Sequence, residues 1–255
     1  MAMRYSIDRI AYTVLSSVNF AAPTPASRIA DLVHPRRVAR SADTAVTQMI
    51  LELGATPQAL NAISFDNVNF SQVDLHVSNT SPTNPAIRLP GSPYTIDLDH
   101  EDGRRKLVVP LTGTAYRWLR IRPQSPVSGE STFDLGGIGC WSTFPAFARN
   151  LGAPYGKTPQ VASRAIEFGT GGREVQSPGT STLGISTSAM TIVRNSAAHV
   201  QFAVLARLPC SQVILLYENE GDTSKVYHVR GVAPWTISRN ASGFVDVNVR
   251  LAEVL

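Results

Sequence analysis

Residues 115–122, Ala-Tyr-Arg-Trp-Leu-Arg-Ile-Arg, alternate with a period of two. Leu119 and Ile121 share one face, and Tyr116, Trp118, Arg120 and Arg122 share the other. Arg117 is the one exception to the alternation. Such a period predicts a strand with one face in a core and one available for contact. Residues 133–141, Phe-Asp-Leu-Gly-Gly-Ile-Gly-Cys-Trp, predict a second strand. Upstream, 46–54, 62–68 and 73–77 read as strands, 4–20 alternate weakly, and 94–98 are placed to pair with 106–111 across a polar turn at 99–103. Turn chemistry recurs about every ten residues with no convincing helix, the signature of an antiparallel sandwich or jelly roll.

Residues 143–180 are dominated by Gly, Pro, Ser and Thr and read as a linker or an exposed arm. A second block follows over 181–255. It holds a strand at 183–193 and a helix at 195–207, capped by Asn195 or Ser196 and stopped by Pro209. A hairpin joins 213–217 to 226–230. The closing strand, 244–255, has Val245, Val247, Val249 and Leu251 as its buried face. The expected fold class is therefore mainly β: a sandwich over 28–142 and a smaller β domain with one helix over 181–255. Residues 1–27 supply a strand able to join the second domain.

Composition sharpens this picture. The chain has 255 residues, 43% hydrophobic and only 16% charged, below the usual quarter. Its surface is thus rich in Ser, Thr, Asn and Gly, as in β-rich assembly proteins. The net charge is +4, and Lys occurs only at 106, 157 and 225, so most of the basic charge is arginine, which favours interfaces. The basic residues are scattered, which argues against specific nucleic-acid binding. Asp8 and Arg9 stand where a signal peptide needs an apolar run, and no stretch approaches 18 apolar residues, so no membrane span and retention in a reducing cytoplasm are expected. Two cysteines, Cys140 and Cys210, leave their pairing open.

Catalytic chemistry finds little support. The acidic run Asp97, Asp99, Glu101, Asp102 fails the EF-hand pattern, having Asp102 where glycine is needed and Val108 where glutamate is needed. The five histidines, 34, 76, 100, 199 and 228, show no metal-ligand spacing. No G-x-S-x-G elbow is present, and Gly169-Thr-Gly-Gly172 lacks a surrounding βαβ unit. Glu130, Asp134 and Glu167 are the carboxylates available for glycosidase chemistry, with nothing to pair them. The expectation is no enzyme, no cofactor and no metal. Tyr94, Tyr116, Trp118 and Trp141 are candidates to stack on a sugar, or to fill a core or subunit interface. Trp141, at its strand's end, reads as a lid on the sandwich.

The ordered set Leu51-Glu-Leu-Gly54, Asn61-Ala-Ile-Ser-Phe65, Val73-Asp-Leu-His-Val-Ser-Asn79, Arg117-Trp-Leu-Arg-Ile121 and Leu135-Gly-Gly-Ile-Gly139 resembles a discoidin-type, galactose-binding-like β-sandwich over about residues 28–142. A sandwich followed by a compact strand–helix–strand block is similar to tail-tip proteins of long-tailed bacteriophages, distal tail proteins in particular. That family usually places its tube domain first, whereas the sandwich comes early here, and no family binding residue carries over. The resemblance implies a virion structural protein: a homo-oligomeric ring, a hexamer or trimer, joining the tail tube to other tail-tip proteins. The alternative is a module that binds host-surface carbohydrate. Tyr116, Trp118, Arg120 and Arg122 are the expected contacts for a neighbouring subunit or a glycan.

Overall fold

The computed structural model describes residues 3–20, 25–32, 38–99, 104–149, 155–161, 164–167, 173–176, 181–187, 190–218, 222–231, 236–239 and 243–253. It divides into two units. The first comprises Met1–Ala146, Val213–His228 and Leu255; the second comprises Phe147–Gln212 and Val229–Val254.

The first unit is an antiparallel β-sandwich, as the sequence predicts. Its first sheet runs in the order Thr13–Val18, Gln48–Glu52, Trp118–Pro126, Phe70–Ser78, Ile87–Arg88, with Tyr94–Thr95 also paired to the Phe70–Ser78 strand. Its second sheet runs Asp97–Asp99, Arg104–Pro110, Ala62–Val68, Asp134–Trp141, Ala39–Arg40. The alternation of each strand fills the space between the sheets. Met49, Leu51, Val73, Leu75, Val77, Leu119 and Ile121 come from the first sheet, and Ile63, Phe65, Leu107, Val109, Ile138 and Cys140 from the second. Each is at most 2% exposed, and burying one such large apolar side chain contributes about 1.5–3 kcal/mol.

Arg117 interrupts the alternation for a structural reason. The strand breaks there, between Ala115–Tyr116 and Trp118–Pro126. The Arg117 main-chain N–H donates to Asn79 Oδ1 at 2.8 Å, and its guanidinium turns outward to Glu52 Oε1, also at 2.8 Å.

The second sheet is covered on its outer side as well. Ile214–Tyr217 pairs with Arg4–Ser6 and is the sheet neighbour of Val226–Gly231. The residues of these strands that belong to the first unit pack a further apolar cluster with Leu32, Ala62, Val108, Trp141 and Phe144. The Phe144 and Tyr217 rings stack with centroids 5.9 Å apart. The first unit therefore includes strands well outside its central stretch, Thr13–Val18 before it and Ile214–Tyr217 after it. The sequence-based span of 28–142 is narrower, because alternation does not say which strand a distant segment will join.

In the second unit, the helix Ala197–Leu205 starts at Ser196, whose hydroxyl accepts the His199 N–H at 3.3 Å. Its Phe202 stacks on Phe147 at 5.8 Å. The stretch expected to be a linker holds strands Tyr155–Val161, Arg164–Glu167 and Arg173–Gln176. Tyr155–Val161 ends its sheet, a position that tolerates Pro159, so a composition that reads as loop is compatible with an edge strand. Two predicted long strands are each split. Ser181–Thr187 and Met190–Val193 belong to different sheets, as do Phe244–Asn248 and Arg250–Glu253. Val245, Val247, Val249 and Leu251 are nonetheless all buried, at most 3% exposed, because the period of two runs through the change of partner. Among the described residues no helix is long and apolar enough to cross a membrane.

Candidate functional site

The four residues expected to make contacts lie in three different surroundings. Tyr116 lines a cavity of about 240 Å³ in the sandwich unit, with Leu60, Leu89, Leu111, Thr112 and Thr114 among the other walls. The cavity wall is strapped in place. The Leu111 N–H donates to Asn61 O, the Gly113 N–H to Leu60 O, and the Leu60 N–H to Thr114 O, at 2.8, 3.2 and 3.1 Å. Gly113 is required at the turn: its φ is +78°, and a Cβ there would lie 2.9 Å from Asn61 Oδ1. A second cavity of about 440 Å³ shares the wall Pro110, Leu111 and Thr112 and is closed by Arg4, Asn61, Phe144 and Tyr217. The first cavity thus combines one aromatic ring, an apolar floor and two threonine hydroxyls, a common composition for a small-ligand site.

Trp118 is elsewhere. The pairing of Trp118 with Ser78 and Glu52, and of Arg120 with His76 and Ile50, confirms that Trp118 and Arg120 share the outward side of the first sheet. Trp118 is nevertheless only 6% exposed, because the Arg117 guanidinium lies over its ring at 4.5 Å. The ring is a base on which an ion pair rests and offers little of itself to a partner.

Arg120 and Arg122 stand on a polar patch organised by Asp74. The Asp74 carboxylate accepts from Arg88 Nε at 2.8 Å, from Ser92 Oγ at 2.7 Å, and faces His76 Nε2 at 2.9 Å. Burial alone would push this carboxyl up, but the hydrogen bonds from Ser92, His76 and Arg88 outweigh it and hold it below the usual carboxylate range. Arg120 donates through Nη1 to Asn84 Oδ1 at 2.7 Å. Burial and the neighbouring Arg122 guanidinium both lower its pKa. The alternation of Asp74 and His76 was readable as a polar face. Arg88, Ser92 and Asn84 were not, because a two-residue strand and the loops around it carry no periodic signal.

The outer side of the second sheet carries a similar set of residues that the sequence analysis missed. Trp141 Nε1 donates to Ser64 Oγ at 2.9 Å, Ser64 Oγ is 2.8 Å from His228 Nε2, and His228 Nδ1 faces Asp66 Oδ2 at 3.5 Å. The order Ser, His, Asp copies that of a hydrolytic triad. Yet Ser64 is fully enclosed and His228 is 1% exposed, so no substrate reaches the hydroxyl in this structure. Arg104 Nη1 bonds Asp66 at 3.3 Å, and Lys106 Nζ sits 4.4 Å from the centre of the Tyr227 ring. Burial pushes the Asp66 carboxyl up, while Arg104, His228 and Lys106 together draw it below the usual range. Gly139 lets Trp141 and Ser64 meet, since a Cβ there would collide with both. Trp141 is fully buried and does cap the sandwich sheet.

Among the described residues, no group of three or more His, Cys, Asp or Glu is placed to hold a metal ion; part of the 97–103 acidic run lies outside them. Both cysteines are free, Cys140 buried and Cys210 exposed.

No family model matches the sequence, and no curated protein does. Several solved structures are similar. A CBM32 module, CBM32-3, from a family 31 glycoside hydrolase of Clostridium perfringens is 10% identical, with 54% of this chain and 95% of that one covered and a TM-score of 0.43. The lectin-binding domain of lectinolysin complexed with Lewis b is 13% identical, covering 54% and 94%, at 0.39. XRCC1 bound to the DNA polymerase β catalytic domain is 14% identical, covering 53% and 99%, also at 0.39.

Proposed function

We propose that the chain is a carbohydrate-binding protein whose sandwich takes a sugar in the cavity beside Tyr116. The observation that carries this reading is the cavity itself: about 240 Å³, one aromatic wall, an apolar floor and two threonine hydroxyls on a strapped loop. A pyranose presents C–H groups on its faces and hydroxyls on its rim, and this arrangement offers a partner to each. Tyr116→Ala removes the stacking surface. Titration calorimetry against neutral monosaccharides and short oligosaccharides tests the reading: at least one sugar binds the native protein and loses about tenfold or more in the variant. A native protein that binds no sugar, or a variant that binds unchanged, refutes it.

The ring-forming virion tail-tip subunit is the second reading. It is favoured by the edge strand Thr13–Val18, which carries no charge and exposes Leu15 and Val18 at 48% and 44%. Natural edge strands usually carry charges or proline to prevent association, and this one carries neither. A concentration series of the mass in solution tests it: a closed ring of defined order supports assembly, and a monomer at every concentration removes it.

A further inference from the structure

Three guanidiniums, Arg88, Arg120 and Arg122, surround one carboxylate, Asp74, on the outward side of the first sheet. Asp74 is already occupied by Ser92, His76 and Arg88 Nε. Arg120 and Arg122 are alternate residues of one strand and point to the same side, their bases about 7 Å apart. Among the described residues, Arg122 has no hydrogen bond or ion pair, and Arg120 has only the neutral Asn84 amide as acceptor. Arg120 Nε, itself buried, has no hydrogen-bond partner among the described residues. His76 and Arg120 stand opposite each other in the register. The patch therefore has positive charge and donors in excess of acceptors, and its two arginines disfavour one another. A ligand that brings a delocalised anion removes both deficits at once, since a guanidinium meets a carboxylate or sulfate through paired N–H donors. The Arg88 side chain is 50% exposed. Arg120 follows Tyr116 by four residues of extended chain, about 13 Å at the rise of a strand, a span that a short oligosaccharide can cover.

We infer that the Arg88–Arg120–Arg122 patch is an anion subsite that makes the protein selective for acidic glycans, those bearing carboxylate or sulfate groups. The inference rests on the proposed sugar binding and specifies its ligand class. The test uses the full chain and three galactose-based polymers: a neutral galactan, a sulfated carrageenan and a polygalacturonate. At about 50 mM salt one or both acidic polymers bind about tenfold more tightly than the neutral one, and the advantage shrinks at about 500 mM. Which acidic polymer wins separates sulfate from carboxylate as the preferred anion. Arg120→Gln with Arg122→Gln abolishes the advantage and leaves neutral binding intact. Arg122→Gln alone, which breaks no hydrogen bond or ion pair among the described residues, halves the advantage or more, guarding against a folding defect in the double variant. Neutral and acidic polymers binding equally, or an advantage that survives the double variant, overturns the anion subsite while leaving the cavity reading in place. Binding of no polymer overturns the anion subsite and leaves the cavity reading to the calorimetry with monosaccharides and short oligosaccharides. A polyglutamate peptide that outcompetes every polymer overturns the subsite as a glycan site and assigns the patch to a protein partner.

Discussion

The outer sides of the two sandwich sheets carry nearly the same residues to opposite ends. On the first sheet, Asp74 gathers His76, Arg88 and Ser92. On the second, Asp66 gathers Arg104 and His228, with Ser64 on the same histidine. The first set faces solvent on the guanidinium side, the Arg88 side chain being 50% exposed. The second is roofed by Trp141, Tyr217, Val226 and Tyr227, all at most 2% exposed. The lesson is that a residue set does not define a site: the dielectric around it does. In a dry setting, charges must be matched within the protein and their partners become structural. At the wet surface the same groups can exchange partners, and a ligand can be one of them.

The largest expected effect breaks this comparison at its buried half. Asp66→Asn leaves Arg104 and Lys106 without their enclosed carboxylate and should cost about 3–5 kcal/mol. Asp74→Asn should cost less, about 1–3 kcal/mol: Asp74 is also buried, 5% exposed, but its partner Arg88 is half exposed and can turn to water. Urea denaturation of both variants measures the gap, and equal losses would show that the two sides are not different environments. Gly139→Ala comes next. Its new methyl must displace both Trp141 and Ser64, and overpacking of this kind costs about 1–3 kcal/mol. A variant as stable as the native protein would mean that the Trp141–Ser64–His228 chain is not tightly packed.

Acid separates the two halves further. Both carboxyls are held below their unfolded value. Each therefore contributes stability that is present above about pH 4, the unfolded aspartate value, and is lost as pH falls toward its lowered folded value. High salt should weaken the Asp74 share more than the Asp66 share, because the Arg88 partner is half exposed whereas Arg104 is not, which denaturation at two ionic strengths with D74N and D66N can read. The smallest effect is Arg122→Gln, expected to move stability by less than about 0.5 kcal/mol while changing binding to acidic polymers. A large loss of stability would make Arg122 structural. The thiols provide a zero-cost reporter of the interior: burial pushes Cys140 up to about 12, so alkylation of the native protein at pH 8 should label the exposed Cys210 and spare Cys140.

Much of the sandwich was legible because alternation is local. The core positions Leu119, Ile121, Ile63 and Phe65 follow from a period of two and nothing else. The outward placement of Trp118 was equally legible, but its burial was not, because the covering group is the neighbouring Arg117, turned aside by a strand break that Asn79 and Glu52 stabilise. Lys106 opens the strand predicted over 106–111 and is fully buried. Its cover, Tyr227, arrives more than a hundred residues later, beyond the reach of any window read along the sequence. The cavity beside Tyr116 was missed for the same reason: Leu60, Leu89 and Leu111 are apolar residues of three separate loops, and only the fold brings them together.

The late return of the chain over Trp141 and Val108 has a consequence for how this protein is made. A ribosome releases Met1–Ala146 well before Val213–His228, so the two-sheet core can close while the far side of the second sheet still shows Val108, Trp141 and Phe144 to water. During that interval the nascent protein carries an adhesive apolar face with Lys106 and Asp66 lodged in it. A gene fragment that stops at residue 146 makes the interval permanent, and its product should associate or precipitate. Supplying residues 213–228, through a short loop or as a separate peptide, should restore solubility.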